Sequence, residues 1–425
     1  MFFVTLRSPL VTLRNPLVIL SEAKNLMNWE LFHQILSIDS TSGKERELAE
    51  WLLEHLEAPS KQAMEVGDST LNLLFSWGTP QVVFCTHMDT VPPYIPPVFP
   101  ENRSFVAIAP QDDKGHSEDP SCRSDVTPCH SDVTPCHSER SEESIIDGRG
   151  ACDAKGQIFA MYTACKELEA EGRTDFGLLL LSGEETGSWG AKAFAKTDFR
   201  APFLIVGEPT ENKMVSASKG TKSYDLTFTG EAFHSGYPQF GTSAIDLFND
   251  FYNKLKAMDF GQDPELGETT WNIGLLHSDN PQNILSPELT CRLYFRTTFV
   301  SDQKVQDWMK ENSSFEEEAR APVAQQSDRP EVAGDNRGQS PLGKVCAKAR
   351  GIGDSPAHYL TLPGFASAPV AFGSDAPHLT NFGHKIICGP GSIRHAHRDD
   401  DQILLSDLEE AVALYKRMYE QLLNS

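Results

Sequence analysis

The sequence predicts an α/β protein: a discontinuous domain built on a mainly parallel central sheet, interrupted by a small inserted α+β domain. Three observations predict this. The strand-length runs QVVFCT (81–86), GLLLLS (177–182) and FLIVG (203–207) are apolar throughout or nearly so, the mark of strands buried on both faces. Helical spacing over 156–170 falls between the first two, and strands alternating with helices build parallel sheets. From about Ser218 the pattern becomes half-exposed strands, so a different kind of domain begins there.

The elements follow in chain order. VTLRSPL (4–10) is repeated as VTLRNPL (11–17), and the prolines exclude a continuous helix. Arg7, Pro9, Arg14 and Pro16 also break the apolar run that a signal peptide needs. Residues 1–26 are therefore expected to lie outside the fold, with order beginning near Met27, where NWELFHQILSI opens an amphipathic helix. A second heptad series, CRSDVTP, CHSDVTP and CHSERSE, starts at Cys122. Its spacing is not that of metal ligands, and the segment 111–144 is read as a polar insertion. Residues 27–215 then form the first part of the larger domain. KSYDLTFTG, SAIDLFNDFYNKLKAM, WNIGLLHS, LTCRLYFRTTFV and the stretch 301–311 read as strand, helix, strand, strand and helix, giving a small domain over 216–330. The polar stretch 314–354 reads as a loop or a further insertion. Residues 331–425 return to the larger domain, with strands near Ala368 and at 385–388 and a closing helix over 405–423.

Composition narrows the function. With a net charge of −23 the chain lacks the basic surface that phosphate binding requires, so nucleic acid is excluded as the main partner. No run of 18 apolar residues exists, so no membrane span is expected. Nine cysteines without a Cys-x-x-Cys pair read as free thiols in a reducing compartment, which makes the cytoplasm the expected location.

Five short segments carry the chemistry: THMDTVPP with His87 and Asp89, GRGACDAKG with Asp153, LSGEETG with Glu184 and Glu185, VGEPT with Glu208, and GPGSIRHAH with His395 and His397. A lone His-x-Asp pair is commonplace, and adjacent glutamates usually mark a solvated face. Here His87, Glu184 and Glu208 each follow an apolar strand within a few positions. That is where ligands gather in parallel sheets, and burying carboxylates there is costly without a cation. Mixed nitrogen and oxygen ligands suit zinc, manganese or cobalt better than calcium or magnesium. Two such ions a few ångströms apart can polarise a carbonyl and activate water, and a carboxylate that is not a ligand is then needed as general base.

The order and context of all five segments closely resemble the M20 metallopeptidase family, with the context of His397 similar to the acetylornithine deacetylase branch. The resemblance covers the chain from about Met27 to the end, the insertions excepted. It implies a zinc-peptidase-like catalytic domain and two Zn2+ per chain, with Co2+ able to substitute. Asp153 would bridge the metals, His87 and Glu208 would hold one, and Glu185 and His397 the other. His395 is the rival ligand; Ala-His followed by aspartates favours His397. The resemblance makes Glu184 the general base and Asp89 the carboxylate that orients His87. The small domain would be a dimerisation lid whose His234, in FHSGYP, reaches the partner subunit's site and stabilises an oxyanion. Asn283 and Arg296 resemble substrate-binding positions, Arg by its bidentate fork, and Gly373, Ser374 and Asp375 in FGSDAPH resemble a substrate-side loop. The implied reaction is hydrolysis of a small N-acyl amino acid. Succinyl-diaminopimelate desuccinylase and dipeptidase or carboxypeptidase activities are the alternatives, since all share these motifs. A member retained only as a scaffold would normally have lost a ligand or the base, and none is missing here.

Overall fold

In the computed structural model of the chain, the residues described are 4–6, 27–67, 70–99, 145–315, 344–349 and 353–424. The heptad series and the expected insertion at 111–144 lie outside them.

The central sheet has seven strands in the order Val4–Leu6, Ser60–Val66, Thr70–Gly78, Asp175–Leu181, Val82–His87, Ala201–Val206 and Phe382–Ile387. The last four are mutually parallel, and the first three extend the sheet by antiparallel pairing. Val82–His87 shows why an unbroken apolar run forms a strand. Val82 and Phe84 enter the core on one face, while Val83 and Cys85 enter a second core on the other. Both faces are dry, so no polar alternation survives. The edge strand Val4–Leu6 falls within the segment expected to lie outside the fold; the rest of 7–26 lies outside the described residues.

Helices Trp29–Ser37, Glu45–His55, Lys155–Ala170 and Leu405–Leu423 cover one face. The first starts where the Asn28 side chain accepts the Leu31 amide at 3.2 Å, a cap that satisfies one free helix N–H. It buries Phe32, Ile35 and Leu36, the i, i+3, i+4 stripe, and Phe32 stacks on Phe159 with ring centres 4.9 Å apart. Burying such a side chain is worth roughly 1.5–3 kcal/mol.

The inserted domain is a five-stranded sheet in the order Thr270–His277, Glu288–Thr297, Gly220–Thr229, Lys344–Ala349, Ser314–Phe315. Along Gly220–Thr229 burial alternates strictly. The inward residues Leu226 and Phe228 meet Phe251 and Leu255 of helix Ala244–Ala257 and Trp308 of helix Asp302–Asn312. One expectation is corrected. The stretch 314–354 is not wholly loop: Lys344–Ala349 pairs antiparallel with Gly220–Thr229, so the small domain's sheet reaches past the expected boundary at 330. KVCAKA is short and lies in a polar stretch, so its pattern carries no strand signal, but the free edge of Gly220–Thr229 supplies a ladder for it. At the other boundary, Met214–Ser218 belongs to a three-stranded sheet with Ala357–His358 and Ser367–Val370, and the small sheet begins at Gly220.

Candidate metal centre

Parallel pairing puts the carboxyl ends of Val82–His87, Asp175–Leu181, Ala201–Val206 and Phe382–Ile387 on one edge of the sheet. His87 ends the first, Glu184 and Glu185 follow the second, Glu208 the third, and the loop to His397 the fourth. Backbone bonds lock neighbouring ends: the Gly207 amide donates to Cys85 O at 2.7 Å, and the Thr86 hydroxyl donates to Gly207 O at 3.0 Å. The turn into Glu184 requires Gly183, whose φ is +73° and where a Cβ would meet the Trp189 ring at 1.9 Å.

Asp153 is the centre of the arrangement. Its Oδ1 lies 3.0 Å from His87 Nε2 and its Oδ2 lies 3.5 Å from His397 Nε2. His397 Nε2 also lies 2.9 Å from Glu185 Oε1. His87, Asp153 and Glu185 offer ligand atoms that all fall within 4.8 Å of one another. The two oxygens of one carboxylate thus face two different histidines, as a ligand shared by two cations requires. His395 instead meets Gln402, 3.1 Å from its Nδ1.

Glu208 is 4% exposed, and its Oε1 has no hydrogen-bond partner. No hydrogen bond or ion pair to the Glu184 carboxylate is found among the described residues either. The charges explain the protonation preferences. Burial, then the charge of Glu208, raises Glu184 well above the ordinary carboxylate range. Burial likewise raises Glu208, which His87 opposes, and Glu185, which the His397 hydrogen bond opposes. Burial would lower His87, but hydrogen bonds to Asp153 and Asp89 and nearby negative charge raise it well above its ordinary value. Burial would raise Asp153, but hydrogen bonds from His397 and His87 outweigh that and hold it low. Hydrogen bonds to Asp153 and Glu185 raise His397 to about 10. Four carboxylates against two imidazoles leave negative charge that the protein does not neutralise. The orphaned Glu208 oxygen and the mixed donor set therefore fit divalent cations of the zinc and cobalt type.

Asp89 touches His87 and a second partner, the Glu184–Glu185 turn, as well. Its backbone O lies 2.9 Å from His87 Nδ1 while its carboxylate Oδ1 is at 3.5 Å. The carboxylate mainly accepts the amides of Glu184 at 3.0 Å and Glu185 at 3.1 Å, and the Ser42 hydroxyl at 3.0 Å. It fixes the turn that carries both glutamates.

The remaining candidates are spread more widely. Ser374 is buried, and its Oγ accepts the Ala376 amide at 3.3 Å. Arg296 stacks over Tyr294 at 5.0 Å and approaches Gly373, where a Cβ would lie 4.0 Å from its Nη1. The exposed His234 accepts the Gly236 amide at 3.0 Å, and Asn283 O accepts the Ser235 amide at 2.9 Å. Among the described residues neither makes a hydrogen bond or ion pair to the residues of the metal cluster. Asp375 of the same FGSDAPH segment is 2% exposed, and its Oδ1 has no partner. Burial raises it to about 6 against the pull of His87, and its charge acts on Glu184 and Glu208.

Comparison with known proteins bears on the family and the fold. The model of Peptidase family M20/M25/M40 matches residues 124–421. A Peptidase M20 domain-containing protein of Schizosaccharomyces pombe is 28% identical over 415 residues, covering 94% of this chain and 85% of that protein. A protein of Aspergillus oryzae named probable carboxypeptidase is 28% identical over 422 residues, covering 92% and 86%. In fold, the chain is similar to a tripeptidase from Staphylococcus aureus with a TM-score of 0.66 at 16% identity, covering 95% of this chain and 99% of that one. Among the described residues no helix is long and apolar enough to cross a membrane.

Proposed function

The chain belongs to peptidase family M20, and from that premise we propose that it hydrolyses the amide bond joining an acyl or aminoacyl group to a C-terminal amino acid. This bond is common to N-acyl amino acids and to the substrates of carboxypeptidases and dipeptidases. The observation that carries the reading is Asp153 with its two oxygens facing His87 and His397, beside a partly buried Glu184 carboxylate that accepts no hydrogen bond from any described residue.

His87 and Glu208 would hold one cation, Glu185 and His397 a second, and Asp153 would lie between. When bound, such ions supply Lewis acidity and lower the pKa of water. Glu184 accepts a proton from the attacking water and delivers it to the departing amine nitrogen as the C–N bond breaks, giving a carboxylic acid and an amine. Its elevated proton affinity suits both roles. Asp89 keeps the Glu184 turn in place, and Arg296 beside Gly373 is suited to the substrate's terminal carboxylate. In this reading two chains pair through the small domain, so that the partner's His234 supplies the oxyanion contact. The exposed Phe233, Tyr237, Phe240 and Ile284 around His234 support that pairing.

Relatives named carboxypeptidase favour a peptide substrate; the context of His397 in GPGSIRHAH favours an N-acetyl amino acid. Both are tested by release of amine from N-acetylornithine, N-acetylmethionine, N-succinyl-diaminopimelate and a dipeptide, with Zn2+ or Co2+ and with chelator. Chelator-sensitive cleavage of one of them fits the reading and names the acyl group. Two bound metals without cleavage of any would reject this substrate class, and no bound metal would reject the site.

A further inference from the structure

A buried ion pair behind the cluster ties together three of the segments that carry its ligands. Arg149 is 2% exposed and Asp401 is 1% exposed. Asp401 Oδ2 accepts the Gly150 amide at 2.8 Å and Arg149 Nη1 at 3.2 Å, and its Oδ1 accepts the Cys152 amide at 2.9 Å. Arg149 Nη1 also donates to Arg398 O at 2.9 Å, and its Nε donates to Pro93 O at 3.1 Å. Cys152 precedes Asp153, Arg398 follows His397, and Pro93 lies shortly after His87 and Asp89 in the chain. One guanidinium and one carboxylate therefore join all three loops.

We infer that Arg149 and Asp401 form a clamp that presets the separation of Asp153 and His397 before a metal arrives, making both of them positioning residues for the metal centre. The inference rests on the reading that this cluster holds metal. A buried ion pair is weak evidence for stability in itself, since an apolar pair of similar volume often serves as well. An apolar pair could not engage two amides and two carbonyls in fixed directions. Only the planar fork of arginine can reach a carboxylate and two separate carbonyls together. Partners behind a metal site typically set ligand orientation, and their loss lowers metal affinity or activity roughly 10–100-fold.

The first test uses the unaltered full-length chain. In chelator, the amides of 148–153 should exchange slowly with deuterium, and Co2+ should add little protection. Fast exchange that slows only after Co2+ is added would overturn the clamp, because the metal would then be ordering the loop. The second test titrates Co2+ into Asp401→Asn and Arg149→Lys, followed by visible absorption. The expected result is affinity weaker by roughly 10–100-fold and an altered Co2+ spectrum, with kcat reduced and KM unchanged. Arg149→Lys keeps the charge but cannot reach both carbonyls, so it serves if Asp401→Asn does not fold. Folded variants that bind Co2+ with the original affinity and spectrum would overturn the inference alone. An unaltered chain that binds no Co2+ would instead overturn the metal reading and the clamp's role with it.

Discussion

Replacing Asp89 with Asn tests whether the Glu184–Glu185 turn is held by charge. The carboxylate is fully buried and accepts hydrogen bonds from the Glu184 amide, the Glu185 amide and the Ser42 hydroxyl, with His87 Nδ1 3.5 Å from its Oδ1. An asparagine of the same shape keeps one acceptor oxygen and turns an NH2 towards the other donors. The Ser42 hydroxyl can rotate to accept, but one backbone N–H cannot. A hydrogen bond to a charged group contributes about 1.5–3 kcal/mol, and a buried unsatisfied N–H costs about 1–3 kcal/mol. These ranges describe overlapping parts of one loss, so a net destabilisation of about 3 kcal/mol follows. At roughly 2–4 °C per kcal/mol for a domain of this size, Tm should fall by about 6–12 °C. Because the turn carries the general base and one ligand, kcat/KM should drop by about 10–100-fold, as for other supporting groups at metal sites. Thermal unfolding and steady-state hydrolysis on the same preparation read both. A Tm within about 2 °C of the parent and kcat/KM within a factor of about 3 would refute the reasoning.

Three further predictions follow from the charge balance and the exposed surface. Glu208→Gln removes a buried charge whose Oε1 has no partner. In chelator Tm should rise by a few degrees, on the order of 1 kcal/mol, while Co2+ affinity falls; a lower Tm in chelator would contradict the account. The metal-free protein should lose stability as pH rises from 6 to 8. Burial raises Glu184 and Glu208 above 4.5, and hydrogen bonds to Asp153 and Glu185 raise His397 from 6.5 to about 10, so the native state holds more protons than the unfolded chain across that range. Asp153, held low, is ionised in both states throughout the range and adds no slope. Zn2+ takes the place of those protons, so the Tm gain on adding it should grow with pH; a chelated Tm that climbs from pH 6 to 8 would be the contrary result. Phe240→Glu, at a side chain 60% exposed beside the His234 loop, should convert a dimer to monomer in light scattering and reduce turnover, whereas an unchanged dimer would place the interface elsewhere.

The parts of the fold that were legible share one property: a pattern that a single element imposes on its own residues. Val82–His87, Asp175–Leu181 and Ala201–Val206 announce themselves because both faces are dry, and helix Leu405–Leu423 lies where its spacing puts it. His87, Glu184 and Glu208 were legible through those strands, since a polar residue just after a buried run has few structural explanations. Lys344–Ala349 and Ser60–Val66 were not, because their polar residues gain order only by pairing with a neighbour remote in sequence. The Arg149–Asp401 pair spans 252 positions and has no periodic signature. Asp375 stands out in the FGSDAPH segment by resemblance, but the isolation of its Oδ1 is a fact of three dimensions. Asp89 shows the same limit: the His-x-Asp spacing points at the ring of His87, but nothing in it points to the two amides nearly a hundred residues away that the carboxylate also accepts.

The most direct test of the central claim is turnover by Glu184→Gln at saturating Co2+, with bound metal measured on the same sample. The account predicts metal content and KM close to the parent and kcat lower by about 10²–10⁴-fold, the usual contribution of a general acid–base group. Near-parental kcat in the metal-loaded variant would contradict it.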